Sequence, residues 1–139
     1  MTDQPNGGRD AAAPRGKLTV RVSAMPADTN ANGDIFGGWV LSRMDQAGGI
    51  AAIERGKGRA VTIAIQAMTF HRPVRVGDVL EVYTEVVKVG RTSMTIEIEA
   101  YAVRFKTDHR EKVTDGLFTF VAIDDDGRPR AVPQDTITA

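Results

Sequence analysis

The sequence contains no cysteine, only two histidines and few aromatic residues, which make up 6% of the chain. Without cysteine the protein can form no disulfide bond, no cysteine-ligated zinc site and no thiol nucleophile. Neither histidine, His71 nor His109, belongs to a metal-binding pattern such as HExxH, so no metal site is predicted. The GxSxG, P-loop and GxGxxG motifs are also missing.

Charge of neither sign is in excess, since 18 Lys and Arg balance 18 Asp and Glu. A net charge of zero predicts no general affinity for nucleic acids or anionic membranes. No stretch approaches the roughly 18 consecutive apolar residues that a membrane-spanning helix needs. The first residues, MTDQPNGGRDAAAPRGK, lack the apolar core of a signal peptide. We therefore expect a cytoplasmic protein.

The 139 residues, of which 42% are apolar, predict one globular domain. Residues 1–16 are rich in Gly, Pro, Ala and charge, which predicts a disordered arm. Residues 17–133 are predicted to form the domain, and residues 134–139 a polar tail.

One segment, which follows the polar loop PADTNANGD, has helical periodicity. Four apolar residues fall at the spacing of one helix face: Val40, Met44, Ala47 and Ala51. The segment RGKG predicts a glycine-terminated end with basic residues in the last turn. Gly48 and Gly49 lie in the middle, where each costs about 0.5–1 kcal/mol relative to Ala. We expect small residues there because another backbone packs closely against the helix.

Alternating apolar and polar residues predict strands in the rest of the chain. One strand precedes the helix, at KLTVRVSAM, and four follow it, at RAVTIAIQAMTF, VLEVYTEVVKV, TSMTIEIEAYAVRF and KVTDGLFTFVAI. Short turns between neighbouring strands predict antiparallel pairing. Because one helix covers only one face of such a sheet, the predicted fold class is α+β, with a second subunit over the other face.

Four motifs in this order resemble those of the hot-dog family: MPADTNANGDIFGGWVLSRMDQAGG, VTIAIQAMTFHRPVRVGD, VKVGRTS and TDGLFTFVAID. They look most like the small bacterial acyl-CoA thioesterases of the YciA type, and they also resemble the mammalian acyl-CoA hydrolases built from tandem hot-dog domains. The resemblance runs from about Lys17 to Pro133.

The resemblance implies a hot-dog fold, in which a curved antiparallel five-stranded sheet wraps around one long helix. It implies hydrolysis of acyl-CoA to free CoA and a carboxylate, with coenzyme A present only as part of the substrate and no other cofactor. It also implies a homodimer, assembled further into a hexamer as a trimer of dimers, with sites shared between subunits.

Asp34, in the segment NANGDIFGGWVL, has two interpretations. It could cap the helix, as Asp often does. Capping would put Gly37 and Gly38 in the first helical turn, where nothing favours glycine. If the helix begins at Gly37–Trp39 instead, Asp34 lies just outside it, beside free backbone amides that can bind an anion.

An acid in that position could act as a general base on water, typically worth ~10²–10⁴-fold, or attack directly and form a mixed anhydride. Amides that hold the developing oxyanion are typically worth ~3–4 kcal/mol each. The resemblance implies that Asp34 is the catalytic acid and that the Gly37 and Gly38 amides polarise the carbonyl. Asn32, with Asn30, is expected to support the loop through hydrogen bonds to its backbone.

Asp45, in SRMDQAGG, is the second candidate for the catalytic carboxylate. Its simpler interpretation is an exposed or paired acid on the helix. Other hot-dog thioesterases, however, take their carboxylate from within this helix, and Asp45 could serve the site from the partner subunit.

Several further residues are candidates for substrate binding. Thr62 and Gln66 lie on the strand after the helix and could face the site. The acyl tunnel is expected to include Ile35, Phe36, Trp39 and Met68. The phosphates of CoA require cations, for which Arg is well suited, and the candidates are Arg91 with Ser93, Arg72, and the run from Arg104 to Arg110. The resemblance favours Arg91.

Two other functions fit a hot-dog protein. A dehydratase or hydratase of β-hydroxyacyl thioesters would use a histidine, and the segment around the helix contains none. A protein that binds acyl-CoA without cleaving it would need no catalytic acid.

Overall fold

A computed structural model describes residues 13–134, in which one long helix packs against a five-stranded antiparallel sheet. In chain order the elements are β1 (Lys17–Ser23), a 3-10 turn (Pro26–Asp28), α1 (Gly37–Gly56), β2 (Ala60–Ile65), β3 (Val79–Val89), β4 (Ser93–Val103) and β5 (Arg110–Ala122). The strand order is β1-β3-β4-β5-β2, so β1 and β2 are the two edges of the sheet. This architecture is the one that the sequence predicts.

Helix α1 buries the apolar stripe that its spacing predicts: Val40, Met44, Ala47 and Ala51. Gly48, between the last two members of this stripe, is the point of closest approach to the sheet. A Cβ atom there would lie 2.7 Å from both Ile98 Cδ1 and the tip of the Phe120 ring. The close neighbours are therefore side chains of the sheet rather than the expected backbone. Around Gly49 nothing lies within 4 Å of such an atom.

The carboxyl-terminal end of α1 differs in one detail from the predicted glycine stop. The residue in the left-handed conformation after the helix is Lys57, with φ of 59°, and not a glycine. Arg130, from the segment after β5, donates a hydrogen bond of 2.8 Å to the carbonyl oxygen of Gly56. A cation at this end satisfies a terminal carbonyl and opposes the helix dipole.

The connection between β2 and β3 is the feature that creates the candidate site. β2 ends at Ile65, earlier than the alternation predicts. β3 is next to β1, close to the opposite edge of the sheet. Residues 66–78 must therefore cross from one edge region to the other, past the beginning of α1. The amide of Ile35 donates to the carbonyl of Val74 at 2.9 Å, and the amide of His71 donates to the carbonyl of Val113 at 2.8 Å. These bonds fix the crossing segment against the helix start and β5.

The described chain ends are attached to the sheet. Arg15, predicted to belong to the disordered arm, donates its backbone N–H to Glu99 at 2.9 Å and pairs with Glu97 at 3.3 Å. Gln134, predicted to begin the tail, donates to the carbonyl of Gly90 at 3.1 Å. The rest of the predicted arm, residues 1–12, and of the tail, residues 135–139, lies outside the described residues. Within residues 13–134 no helix has the length and apolarity needed to cross a membrane.

The close contact at Gly48 predicts that this position does not accept a side chain. Gly48→Ala should lower the free energy of unfolding by about 1–3 kcal/mol, because the added methyl group overpacks a core that is already filled. Gly49→Ala is the matched control on the next residue of the same helix. It should be neutral or stabilising by up to about 1 kcal/mol, because Ala favours the helix. Denaturant titrations of both variants measure the difference, and equal losses in the two would contradict the packing argument.

Candidate active site

Helix α1 begins at Gly37 without a side-chain cap. The residue before it, Phe36, has extended backbone angles, and no acid lies in the first turn. Asp34 is therefore not the helix cap, and the helix start agrees with the alternative that the glycines favour. Within residues 13–134 the amides of Gly37 and Gly38 donate no hydrogen bond, and both glycines are exposed. Two free N–H donors at a helix start form an anion-binding position.

The loop before the helix is held by Asn30. Its side-chain oxygen accepts hydrogen bonds from the amides of Asn32 at 2.9 Å and Asp34 at 3.2 Å. Its own amide donates to the carbonyl of Asp34 at 2.7 Å. Asn30 thus has the supporting role expected of this pair, whereas Asn32 contributes only its backbone amide among the described contacts.

The Asp34 side chain points toward Arg75 and solvent. The backbones of these two residues form an isolated bridge, and Arg75 Nε lies 4.0 Å from Asp34 Oδ1. The Asp34 side chain is 43% exposed, while the next residue, Ile35, is buried. Since successive side chains of an extended segment point to opposite sides, Asp34 points away from the interior that Ile35 faces.

Asp45 lies in the middle of α1 and is fixed by a residue of the edge strand. The Thr62 hydroxyl donates a hydrogen bond of 2.6 Å to Asp45 Oδ1, in partly buried surroundings. Among the contacts within residues 13–134, only one oxygen of this carboxylate accepts a hydrogen bond. Asp45 is eight residues from Gly37, which corresponds to about 12 Å along a helix. The Asp45 carboxylate and the Gly37 amide of one chain therefore do not reach the same ligand atom.

A cavity of about 300 Å³ opens beside Gly37. Its walls come from the loop before the helix, the first helical turn, the crossing segment and β5: Ile35, Gly37, Val40, Phe70, His71, Arg72, Pro73, Val74 and Val113. The Phe70 ring forms the wall nearest the glycine, since its closest atom would lie 3.8 Å from a Cβ at Gly37. The cavity thus connects the free helix amides to a largely apolar interior.

The predicted phosphate-binding arginines lie at opposite ends of α1. Arg72 lines the cavity at the helix start, with its Nε 3.7 Å from Glu111. Arg91 is exposed in the turn between β3 and β4, and its carbonyl accepts from Val132, in the segment that reaches the end of the helix. Within residues 13–134 Arg91 forms no ion pair. Because α1 is about 30 Å long, the two arginines of one chain cannot hold the same phosphate.

Arg104, from the predicted basic run, is instead a structural residue. Its guanidinium pairs with Asp78 at 2.6 Å and with Glu111 at 2.7 Å, and its side chain is only 16% exposed. Burial alone would raise the pKa of the Glu111 carboxyl, but hydrogen bonding and attraction to Arg104 hold that pKa below its ordinary value. This partly buried network joins the crossing segment to the end of β4 and to β5, so Arg104 is not free to bind a phosphate.

The other predicted binding residues are dispersed. Phe36 is exposed, and Trp39 stacks under the guanidinium of Arg43 at 5.4 Å. Gln66 is exposed, and Met68 packs where a side chain at position 116 would be. Of the predicted tunnel residues only Ile35 lines the cavity, while Phe70, Val40, Val74 and Val113 were not predicted to do so. The segment FHRPV, which supplies Phe70, His71, Arg72, Pro73 and Val74 to the lining, carried the available signal.

His71 also lines the cavity. The sequence around the helix contains no histidine, but the crossing segment brings this one close to the helix start. Within residues 13–134 no group of three or more His, Cys, Asp or Glu side chains is arranged to hold a metal ion.

Residues 32–104 match the family model of the thioesterase superfamily. The acyl-CoA thioester hydrolase YciA of Escherichia coli is 50% identical over 123 residues, which cover 86% of this chain and 93% of that protein. The solved hexameric thioesterase of Yersinia pestis has a TM-score of 0.85 and 49% identity, and the alignment covers 88% of this chain and 100% of that chain. A hexameric hotdog fold thioesterase of Campylobacter jejuni has a TM-score of 0.80 and 40% identity, with 86% and 92% of the two chains covered.

Proposed function

Because the chain belongs to the thioesterase superfamily, in its group of YciA-like acyl-CoA thioester hydrolases, we propose that it hydrolyses acyl-CoA to free CoA and a carboxylate. One structural observation supports this reaction most directly. Two free backbone amides, at Gly37 and Gly38, lie at a helix start that opens onto an apolar cavity. Such amides stabilise the negative charge that develops on a thioester carbonyl oxygen under attack, typically by ~3–4 kcal/mol per donor. The proposed chemistry needs water, a base and these amides, and no added cofactor.

The proposed reaction needs a carboxylate that acts as the base. The described contacts favour Asp45 over Asp34 in this role. Asp45 is partly buried and oriented by the Thr62 hydroxyl at 2.6 Å, which leaves its second oxygen available to accept a proton from water. Asp34 is 43% exposed, and its side chain is directed to Arg75 rather than to the cavity. A base is most effective when its geometry is fixed by surrounding contacts. The assignment of Asp34 as the principal acid stays a prediction. In this proposal Asp34 is the alternative to Asp45. A direct nucleophilic attack by the same carboxylate remains the alternative mechanism.

A site that uses both Asp45 and the Gly37 amide must combine two subunits. The separation of about 12 Å along one helix is too long for both groups to contact one thioester and its attacking water. Two antiparallel helices across a two-fold axis would bring the start of one helix near the middle of the other. Exposed apolar residues on the edge strand β2, Val61, Ile63 and Ile65, support a subunit contact there. The relatives from Yersinia pestis and Campylobacter jejuni are hexameric, and we propose a dimer assembled into a hexamer for this chain.

In such a dimer Arg91 lies on the same chain as the active Asp45. The end of α1, near Arg91, is eleven residues beyond Asp45, or about 16 Å along the helix. The pantetheine arm of CoA separates the thioester from the diphosphate, so a cation at a distance from the carbonyl suits the phosphates better than Arg72, which lines the cavity itself. We propose that Arg91, with Ser93, binds a phosphate of CoA.

A thiol-release assay with a panel of acyl-CoA substrates separates this function from its alternatives. A hydrolase releases the CoA thiol, a dehydratase changes the acyl double bond without releasing thiol, and a binding protein does neither. The dehydratase needs this direct test because His71 lines the cavity beside Gly37.

The two aspartates are compared by Asp45→Asn and Asp34→Asn, which are matched in chemistry and nearly isosteric. We expect Asp45→Asn to lose about 10²-fold or more in kcat, the lower range for a general base. Asp34→Asn should keep most of the turnover, since its contact with Arg75 lies on the surface. Thiol release gives kcat, and circular dichroism with light scattering checks the fold and assembly. A larger loss in Asp34→Asn would falsify the assignment of Asp45.

Shared sites can be tested by mixing two inactive variants. Gly37→Pro removes the amide donor at the first helical position, where Pro is accepted and where Phe36 already has the extended angles that precede a proline. Co-expressed Gly37→Pro and Asp45→Asn chains should form mixed dimers in which one of the two sites has both intact groups, with about half of wild-type activity. Each variant alone should lose about 10²-fold or more in kcat. Activity no higher in the mixed dimers than in either parent would mean that both groups come from one chain.

The proposed phosphate contact predicts a binding defect in Arg91→Ala. Calorimetry should show weaker CoA binding, and the salt dependence of binding should be smaller than in the wild type, because a screened charge pair has been lost. Arg72→Ala is the control, since it removes a cation at the other end of the helix. If CoA binds Arg91→Ala as tightly as the wild type, the phosphate is held elsewhere.

A further inference from the structure

We propose that Arg104 is a positioning residue for the reaction, which fixes the Gly37 and Gly38 amides by way of the crossing segment. This inference rests on the proposed function and adds to it a residue that acts through others rather than on the substrate. It starts from a buried acid that the proposed chemistry does not use. Asp78 is 4% exposed, and its Oδ2 atom accepts a hydrogen bond of 2.6 Å from Arg104 Nη1. Because a buried ion pair often adds little net stability over apolar residues of similar volume, its role lies in what it holds in place.

The Arg104 guanidinium joins two parts of the fold. Its Nε and Nη2 atoms donate to Glu111 Oε1, on β5, at 3.1 Å and 2.7 Å. Its Nη1 atom donates to Asp78 Oδ2 and, at 3.0 Å, to the carbonyl of Pro73. Glu111 belongs to the sheet, whereas Pro73 and Asp78 belong to the crossing segment. A guanidinium presents its donors in a rigid, planar fork, so these contacts fix the crossing segment relative to β5.

Two residues of the crossing segment hold the loop that precedes α1. The carbonyl of Val74 accepts a hydrogen bond of 2.9 Å from the amide of Ile35, and the backbone of Arg75 forms the isolated bridge with Asp34. Ile35 is only two residues before Gly37, at which the helix begins. A shift of the crossing segment would therefore move this loop and displace the amides of the first helical turn.

Arg104 is bonded to the crossing segment on both sides of these two residues. Pro73, whose carbonyl accepts from Arg104, directly precedes Val74. Asp78 follows three residues after Arg75, and the Oδ2 atom that accepts from Arg104 also accepts from the Arg75 amide, at 2.9 Å. One guanidinium thus restrains the short stretch of backbone on which the position of the loop depends.

The reaction is sensitive to this restraint because an oxyanion donor acts only at short range. The donor has to lie roughly 2.7–3.1 Å from the oxygen on which charge develops. A misplacement of about 1 Å, caused by a change far from the chemistry, can cost about 10²-fold in rate. Among the described residues no side chain caps the start of α1. The backbone bonds between the loop and the crossing segment therefore restrain the first turn in place of a cap.

The test compares Arg104→Gln with Arg130→Gln. Arg130 is the matched control, because its guanidinium also makes three hydrogen bonds, to the carbonyls of Gly56, Arg59 and Ile123, but at the opposite end of α1. Both variants should lose thermal stability. Only Arg104→Gln should lower the kcat of thiol release, by about 10- to 10²-fold with little change in KM, because the displaced amides are needed in the transition state.

Arg104→Lys is the second variant, and it keeps the charge without the fork. One ammonium group can reach the Asp78 carboxylate but cannot hold the same three acceptors in a fixed geometry. Its kcat should therefore lie between those of the wild type and Arg104→Gln. If Arg104→Gln does not fold, a wild-type kcat in Arg104→Lys overturns the assignment.

Hydrogen–deuterium exchange separates this inference from the proposed function. In Arg104→Gln the Ile35 amide should exchange about 10-fold faster or more, because its local opening becomes easier. The Gly58 amide, which donates to Ile53 at the end of the helix, should keep its wild-type rate, and Arg130→Gln should show the reverse pattern. A wild-type kcat or wild-type Ile35 exchange in Arg104→Gln, or an equal loss of kcat in the two Gln variants, overturns the assignment. If the wild type releases no thiol, the proposed function fails, while the exchange pattern still decides whether Arg104 holds the loop.

Discussion

The close packing of α1 on the sheet at Gly48 is the contact on which the rest of the structure depends. One helix has to supply the apolar cover for one face of a five-stranded sheet, and the missing side chain at Gly48 allows Phe120 and Ile98 to pack against the helix backbone. The helix is held against the sheet at this contact. Its start at Gly37 and its middle at Asp45 are thereby fixed as well. Core packing thus determines where the free amides and the oriented carboxylate lie, although neither takes part in it.

The strand order has an equally direct consequence for chemistry. Strand β2 is one edge of the sheet, and β3 is next to the opposite edge, so the chain between them must cross the sheet. The crossing segment passes the uncapped helix start, and its hydrogen bonds to Ile35 and Val113 leave an apolar cavity beside Gly37. A cap at that helix start would consume the amides, and a side chain at Gly37 would occupy the space in front of the Phe70 ring, at an ordinary contact distance of 3.8 Å. The lack of both features is what makes this end of the helix accessible to a ligand.

Local sequence patterns predicted the parts of the structure that depend on local periodicity. The helix stripe, the helix start and the α+β class follow from the spacing of residues such as Val40 and Met44 and from the glycine pair before Trp39. The same patterns could not predict contacts between residues distant in the chain. In the sequence Arg104 is one charge in a basic run, yet in the structure it is partly buried and paired with Asp78 and Glu111. The orientation of Asp45 by Thr62, and the presence of Val113 in the cavity, likewise depend on strand register and on the crossing segment.

Strand β2 links the proposed chemistry to assembly. It is an edge strand with three large exposed apolar residues, Val61, Ile63 and Ile65, which makes it prone to pairing with another chain. From the same strand Thr62 reaches back to Asp45. A subunit contact along β2 would therefore cover an apolar edge next to the proposed base. It would also bring that base to the helix start of the neighbouring subunit, which a single chain cannot do over about 12 Å. The same interface would then both cover the apolar edge strand and complete the active site. Loss of assembly should therefore abolish turnover under conditions in which the separate subunits are still folded.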